Sequence, residues 1–407
     1  MIRGALGAIV AALLLSIAVT TLVDVASHPK PAALNYWQDD AVVDRLIVLA
    51  KDLASDPSPP RQDEILDDLV ALHRRAPLER RVLYVLVDLL ERTGRHSAAD
   101  RLIEIVGGMG YRDPGFRTVY TVRLLKSGRW QEAVDSYDAL LRIFVDARPA
   151  LLTDLANTAS IDAFRGVLLT KLATRPPWRR VFLSYLRDLY SSKTFYFETY
   201  DALNADQSDP DLQEFSDYLK GRIDAGDTAL AHEAWVNFNR RRGVAVPYGV
   251  FDGAFTLPAD GIPFGWANGE VKNVVHHYLP HPTMEGRRAL GLTFFGDRTP
   301  YIGVEQWLAL QPGHHTFKAQ STAEELTAGR GLVWRFFCRQ QGGTWLPLAT
   351  TRPDQGSHGW MVFEVDFDVP EIDCPLQTLR LEPGGHAVLD TEISGSVTFT
   401  DLEIRKR

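Results

Sequence analysis

The sequence predicts a multidomain α + β protein with an N-terminal membrane helix, an α-helical region and a C-terminal antiparallel β-sandwich. Three observations predict this order. An uncharged apolar segment lies near the N-terminus. Apolar residues then recur at helical spacing, whereas beyond about residue 243 they alternate with polar ones between frequent glycines and prolines. We therefore divide the chain into residues 1–30, 31–242 and 243–407.

The segment between Arg3 and Asp24 carries no charge and is long enough to cross a bilayer. About 20 helical residues match the ~30 Å hydrocarbon core. Because Arg3 precedes the segment, the positive-inside tendency keeps the N-terminus in the cytoplasm. Cleavage as a signal peptide at Val25-x-Ser27 and a buried core helix are the alternatives. We expect a single-pass protein of a bacterial inner membrane with its bulk in the periplasm.

The composition is that of a folded protein, and neither the helical part nor the last part of the chain is basic overall. Apolar residues make up 45% of the chain and charged residues 24%, and the net charge is −8. Neither part of the chain has the positive field that phosphate backbones require, so nucleic acid is not an expected partner. The two cysteines, Cys338 and Cys374, predict a disulfide if the chain is exported. Two buried free thiols are the alternative.

The helical region contains a repeat with an offset of 34 residues. Gly94 and Ala99 recur as Gly128 and Ala133, and Tyr137 follows one helical turn later. That offset is the period of the tetratricopeptide repeat, which the segment GRWQEAVDSYDALL resembles. The resemblance implies antiparallel helix pairs, like a short solenoid, with a groove for protein partners. The alternative is an ordinary helical bundle with a chance echo.

The last part of the chain contains eight short segments of alternating polarity, which predict an antiparallel sandwich. These are residues 271–278, 289–295, 304–310, 315–321, 332–339, 360–367, 376–381 and 396–404.

Both ends of this part carry short motifs. It opens with VFDGAF (250–255) and GIPFGW (261–266) and closes with GSVTFTDLEI (395–404). These motifs resemble the start and the last strand of galactose-binding-like, jelly-roll carbohydrate-binding modules. The resemblance implies that the two ends meet in one sheet. The family's structural calcium uses a Glu where this chain has Thr256, so we expect no metal.

Aromatic side chains are the candidates for sugar binding, because an indole can cover the apolar face of a pyranose. Packing between the sheets is the alternative role for each of them. The candidates are Trp345, Trp360, Trp307 and Trp266.

No catalytic or metal motif stands out. His276 and His277 are adjacent on a predicted strand, so they point to opposite faces and cannot chelate together. Glu364, Asp366 and Asp368 would share one face, which suits either solvent exposure or a glycosidase carboxylate pair. We expect no cofactor and no enzymatic activity.

The sequence thus favours a non-catalytic envelope scaffold that binds glycan or exopolysaccharide through the sandwich and protein partners through the helices. A purely protein-binding assembly factor and a carbohydrate-active hydrolase are the alternatives.

Overall fold

The computed structural model describes residues 45, 48–49, 59–75, 77, 80–108, 114–190, 193–204, 210–268, 271–281, 285, 287–300, 302–340 and 343–407. The membrane segment predicted within residues 1–30 lies outside these ranges. Across the ranges themselves, no helix has the length and apolar character needed to span a bilayer. The chain divides into two compact units at residues 191 and 192.

The described helices account for most of the predicted helical region. The first unit contains α1 (Pro59–Arg75), α2 (Arg80–Arg92), α3 (His96–Gly108), α4 (Pro114–Lys126), α5 (Trp130–Ile143), α6 (Arg148–Thr158), α7 (Asp162–Ala173) and α8 (Arg179–Asp188). The second unit begins with α9 (Lys193–Asn204), α10 (Leu212–Asp224) and α11 (Thr228–Arg241). The composition changes near residue 243, but the last three helices belong to the same compact unit as the sandwich.

The repeated glycines make the same turn between helices. Gly94 and Gly128 both have φ 71°, a left-handed conformation that glycine adopts without strain. After each glycine, the amide of the next residue donates a hydrogen bond to a carbonyl of the preceding helix. Arg95 N donates to Leu90 O at 2.8 Å, and Arg129 N donates to Leu124 O at 2.9 Å. These hydrogen bonds satisfy carbonyl groups that the end of a helix would otherwise leave without a partner. The recurring residues therefore encode two equivalent helical hairpins. Their assignment to the tetratricopeptide family stays a prediction.

The small and aromatic residues of the repeat lie in the helical core. Ala99 and Ala133 are both fully buried. Tyr137 is also buried, its ring lies edge-on to Phe164 at 6.1 Å between centroids, and its hydroxyl donates to Asp154. Burial raises the pKa of the Asp154 carboxyl, against the opposing effect of the Tyr137 hydrogen bond.

The second unit ends in a sandwich of two five-stranded sheets, which confirms the predicted antiparallel β-sandwich. All described pairings between strands are antiparallel. Sheet A has the order β1-β4-β9-β6-β7, and sheet B has the order β2-β3-β10-β5-β8. The elements are β1 (Trp266–Asn268), β2 (Val274–Pro280), β3 (Arg288–Arg298), β4 (Val304–Leu308), β5 (Gly313–Thr327), β6 (Leu332–Arg339), β7 (Trp345–Thr350), β8 (Gly356–Val369), β9 (Leu376–Pro383), the short helix α12 (Val388–Thr391) and β10 (Glu392–Lys406).

Alternation along the strands builds the core between the sheets. Phe317 of β5 and Phe399 of β10 point inward from sheet B, and Trp334 and Phe336 of β6 meet them from sheet A. Cys338 at the end of β6 is joined by a disulfide to the segment just before β9 at Cys374, with 5.4 Å between the Cα atoms.

The opening and closing motifs of the sandwich meet, although the opening motif forms a turn rather than a strand. Gly253 accepts a hydrogen bond from Leu402 N of β10 at 3.0 Å. Asp252 closes the turn, because its carboxylate accepts from Thr256 N and Oγ1 and from Leu257 N at 2.7–2.8 Å. Thr256 thus serves this turn as a hydrogen-bond donor to the Asp252 carboxylate.

Candidate functional site

The outer face of sheet B carries several exposed apolar side chains. Sheet A is contacted by the helices of its own unit, because Arg339 of β6 donates to Asp224 of α10 at 2.9 Å. Trp307 of β4 shares a cavity of about 40 Å³ with His232 and Trp235 of α11. The outer face of sheet B is therefore the candidate ligand-binding surface.

Side-chain size varies across that face in a simple way. One row runs from His277 of β2 through Gly291, Thr398 and Thr322 to the β8 segment that carries Trp360. The three middle positions are small, and the two edge positions are large. A side chain at Gly291 would meet Leu279 at 3.1 Å, so this glycine keeps the floor low. Because neighbouring strands lie ~4.8 Å apart, the edge strands are about 19 Å apart.

The edges of the face are apolar and exposed. Leu279 of β2 is 44% exposed, and Trp360 and Val362 of β8 are 38% and 51% exposed. These side chains flank a floor of hydroxyls and small residues. Apolar walls beside polar groups suit a ligand with apolar faces and hydroxyl rims.

Trp360 is held in place by a neighbour from the opposite edge. Its ring stacks on His281, which follows β2, with 6.0 Å between centroids and 24° between planes. His281 Nε2 lies 3.7 Å from Asp401 Oδ2 of β10. Asp401 also pairs with Arg287 and accepts from Gln320 Nε2 at 3.1 Å. The indole therefore rests on a platform formed by His281 and Asp401, and hydrogen bonds from Arg287 and Gln320 hold the Asp401 carboxylate.

This platform was only partly visible in the sequence. Asp401 belongs to the closing motif, but nothing in its spacing shows that it would meet His281 and Gln320. The register shift between Thr400 and Glu403 puts Asp401 at φ 52°, in a bulge. Bulges re-aim side chains in this way. Pairing of three distant segments is needed to bring the group together.

The other tryptophan candidates lie elsewhere. Trp266 is 4% exposed in the core, and its indole N–H donates to Asp252 O at 3.1 Å. Trp307 is half-buried beside α11, and Trp345 is half-buried on β7, at the edge of sheet A. The structure does not bring Trp345 and Trp360 onto one face, so only Trp360 enters the surface described here.

The histidines of β2 point to opposite faces, as alternation requires. His276 reaches Ile302 O at 3.1 Å, whereas His277 contacts Thr293 Oγ1 at 3.3 Å on the outer face. Burial lowers the pKa of His276. Within the described ranges, no group of three or more His, Cys, Asp or Glu side chains is placed to hold a metal ion.

The three alternating carboxylates of β8 lie at the surface beside partners from β5 and the C-terminus. Glu364 pairs with Lys318 at 3.4 Å. Asp366 accepts from Thr316 at 2.6 Å, and Asp368 contacts His314 at 3.0 Å. These exposed pairs do not provide the enclosed carboxylate pair that a glycosidase mechanism needs.

Comparisons with known proteins concern the fold. No protein-family model matches the chain, and no curated protein sequence matches it. The C-terminal sandwich is structurally similar to carbohydrate-binding modules. A structure described as "CBM4 structure and function" is 15% identical, covers 39% of this chain and 100% of its own, and has a TM-score of 0.29.

Two further structures give similar values. The CBM22-1 xylan-binding domain from Paenibacillus barcinonensis Xyn10C is 14% identical, with 40% of this chain and 99% of that chain covered and a TM-score of 0.28. The "Family 16 Carbohydrate Binding Module-2" is 14% identical, with coverages of 35% and 91% and a TM-score of 0.25.

Proposed function

We propose that the chain binds a polysaccharide on the outer face of sheet B, with Trp360 as the stacking platform. One observation carries the proposal: the Trp360 indole is 38% exposed and is fixed against His281 on the face of the sheet. An exposed aromatic ring that is already ordered loses little conformational freedom when it binds.

The floor of the face supplies polar contacts for a sugar. Thr398 carries a hydroxyl that can donate and accept, and the Thr322 hydroxyl, which donates to His358 O at 2.9 Å, can still accept. Sugar hydroxyls need both kinds of partner. Because the Trp360 and His281 rings meet across the sheet, we expect the sugar to stack on the face of the indole that is turned away from His281.

The N-terminal segment, the disulfide and the helices indicate where the chain would bind a polysaccharide and for what purpose. We infer that the apolar N-terminal segment holds the protein in the inner membrane and that the sandwich lies in the periplasm. The disulfide between Cys338 and Cys374 supports an oxidising compartment. In this proposal the helical hairpins bind protein partners, so the whole chain is a non-catalytic scaffold between glycan and protein.

Binding should be measured with the full chain, by affinity electrophoresis and calorimetry against a panel of soluble envelope polysaccharides. We expect one or more to bind and Trp360→Ala to weaken binding. At 38% exposure, a Trp side chain of ~250 Å² presents ~95 Å², which at ~25 cal/mol per Å² is about 2.4 kcal/mol if fully covered. Half coverage gives ~1.2 kcal/mol, so the expected loss is roughly 7- to 50-fold.

Trp345→Ala is the matched control, because Trp345 is also a partly exposed tryptophan but belongs to sheet A. It should bind like the unmodified chain. Failure of every polysaccharide to bind, or equal losses in the two variants, would contradict the proposal.

A protein partner on the same face is the second candidate. Phe295 of β3 is 61% exposed near one end of the face, and a single apolar side chain of this kind suits a protein surface as well as a sugar. Crosslinking in membranes would then recover a protein at this face, and Trp360→Ala would leave polysaccharide retention unchanged.

A further inference from the structure

A cavity of about 90 Å³ lies on the inner side of β5 and β8, behind the face described above. Ser321 of β5, Met361 of β8 and Trp334 of β6 line it, so both sheets contribute. The connection between β7 and β8 forms its rim, with Asp354 among the residues. A single water molecule needs roughly 10–15 Å³ of such space, so the cavity has room for a larger group.

The wall of the cavity contains a buried donor. Trp334 is 1% exposed, and its indole Nε1 has no hydrogen-bond partner within the part of the chain that the structure describes. Leaving a buried donor without a partner costs about 1–3 kcal/mol. An acceptor oxygen that enters the cavity and reaches this N–H would remove that cost.

The rim carries an ordered ion pair. His358 Nε2 lies 2.5 Å from Asp354 Oδ1, and Nδ1 lies 2.8 Å from Gly359 O. Burial alone would lower the pKa of His358, but the Gly359 carbonyl and the Asp354 carboxylate outweigh it and raise the pKa. Main-chain hydrogen bonds fix Asp354 itself, since it exchanges bonds with Leu332 at 2.7 and 2.9 Å. The rim thus presents a carboxylate acceptor in a defined position.

The innermost part of the cavity is apolar. Leu332, Phe363 and Phe399 surround Trp334 there. Arg352 and Gln355 add donors to the lining, but an anionic group would also meet the like charge of the Asp354 carboxylate, which is unfavourable. An uncharged group with one acceptor, one donor and a small apolar end fits the surroundings better.

We propose that this cavity binds the acetamido group of an N-acetylated sugar. The carbonyl oxygen accepts from Trp334 Nε1, the amide N–H donates to the Asp354 carboxylate, and the methyl group packs beside Met361. The site is separate from the outer face, because alternation directs Met361 to the cavity side of β8, where it is 38% exposed, and Trp360 to the other side. The inference therefore does not depend on the proposed polysaccharide surface.

The test uses the full chain labelled with 5-fluorotryptophan, observed by ¹⁹F NMR. The chain has 9 tryptophans, and the Trp334 resonance is assigned as the one lost in Trp334→Phe. N-acetylglucosamine should shift the Trp334 resonance in a saturable way, whereas methyl glucoside and acetate should not. A shift with acetate alone would show that the cavity selects an anion and would overturn the proposal, as would no shift with any probe.

Trp334→Phe also removes part of the core and can therefore affect stability as well as binding. Further substitutions provide a second measurement. Loss of one hydrogen bond predicts N-acetylglucosamine binding weaker by about three- to tenfold in this variant. Ser321→Leu places a four-carbon side chain in the cavity and should abolish the shift. Thr316→Leu makes a similar change on the outer side of β5 and should retain it.

The two sites are distinguished by Trp360→Ala. Retention of the N-acetylglucosamine response in this variant is expected, even where polysaccharide binding is lost. A response that disappears in Trp360→Ala and persists in Ser321→Leu would place the sugar on the outer face and overturn the inference.

Discussion

Gly253→Ala tests whether the two end motifs close the sandwich. A Cβ atom at this position would lie 1.8 Å from Leu402 O and 2.8 Å from its carbonyl carbon. Both are main-chain atoms of β10, and Leu402 is buried in the core, so the contact cannot be relieved by a side-chain rotation. The turn must move away from the strand.

The cost follows from two changes. The hydrogen bond from Leu402 N to Gly253 O, 3.0 Å long, would be lost at about 1 kcal/mol. Displacement of packed core residues adds about 1–3 kcal/mol. We therefore expect the free energy of unfolding of this unit to fall by about 2–4 kcal/mol.

Hydrogen exchange of β10 peptides, followed by mass spectrometry, reports on this unit directly. A loss of about 2 kcal/mol speeds exchange through global opening by roughly 30-fold. Gly166→Ala is the control, because nothing lies within 4 Å of the added Cβ and the residue is inside helix α7. It should stabilise its helix by up to ~1 kcal/mol. Exchange in Gly253→Ala within threefold of the unmodified chain would refute the reasoning.

Three further predictions concern hydrogen bonds and the disulfide. Tyr137→Phe removes a donor from the buried carboxylate of Asp154 and should destabilise the helical unit by about 1–3 kcal/mol in urea unfolding. Because the folded pKa of Asp154 is raised, ionisation opposes folding, so this deficit should shrink as the pH falls; a deficit constant with pH would argue against it. His358→Gln should destabilise most at about pH 5.5, since a raised histidine pKa stabilises the fold below ~6.5 and the effect disappears as pH rises through the folded pKa. Equal thermal shifts at low and high pH would contradict it. Cys374→Ser should lower stability by about 3–4 kcal/mol, given a separation of 36 residues, and should abolish the sensitivity of the melting temperature to dithiothreitol.

Local chemistry explains how much of the fold could be predicted from the sequence. Gly94 and Gly128 predicted hairpin turns because a left-handed residue between helices has few alternatives to glycine. Alternation predicted most strands of the sandwich for the same local reason. The strands β1 and β7 were not predicted, since β1 has only three residues and β7, WLPLAT, contains Pro347 and does not alternate in polarity.

The candidate site depended on tertiary pairing and was less predictable. Trp345 and Trp360 have similar local surroundings in the sequence, yet one lies on sheet A and the other on sheet B. His281, Gln320 and Asp401 come from three segments that meet only after strands β3, β10 and β5 have paired. No spacing within the sequence encodes such a meeting, whereas an aromatic residue beside a polar loop was enough to identify Trp345 and Trp360 as candidates.

The central claim is that sugar covers the Trp360 indole on the outer face of sheet B. Oxidative footprinting tests it most directly, by measuring the oxidation rate of each tryptophan by mass spectrometry with and without a saturating polysaccharide. We predict that oxidation of Trp360 slows in the complex while that of Trp345 does not change. Protection of Trp345 with Trp360 still oxidised at its free rate would contradict the account.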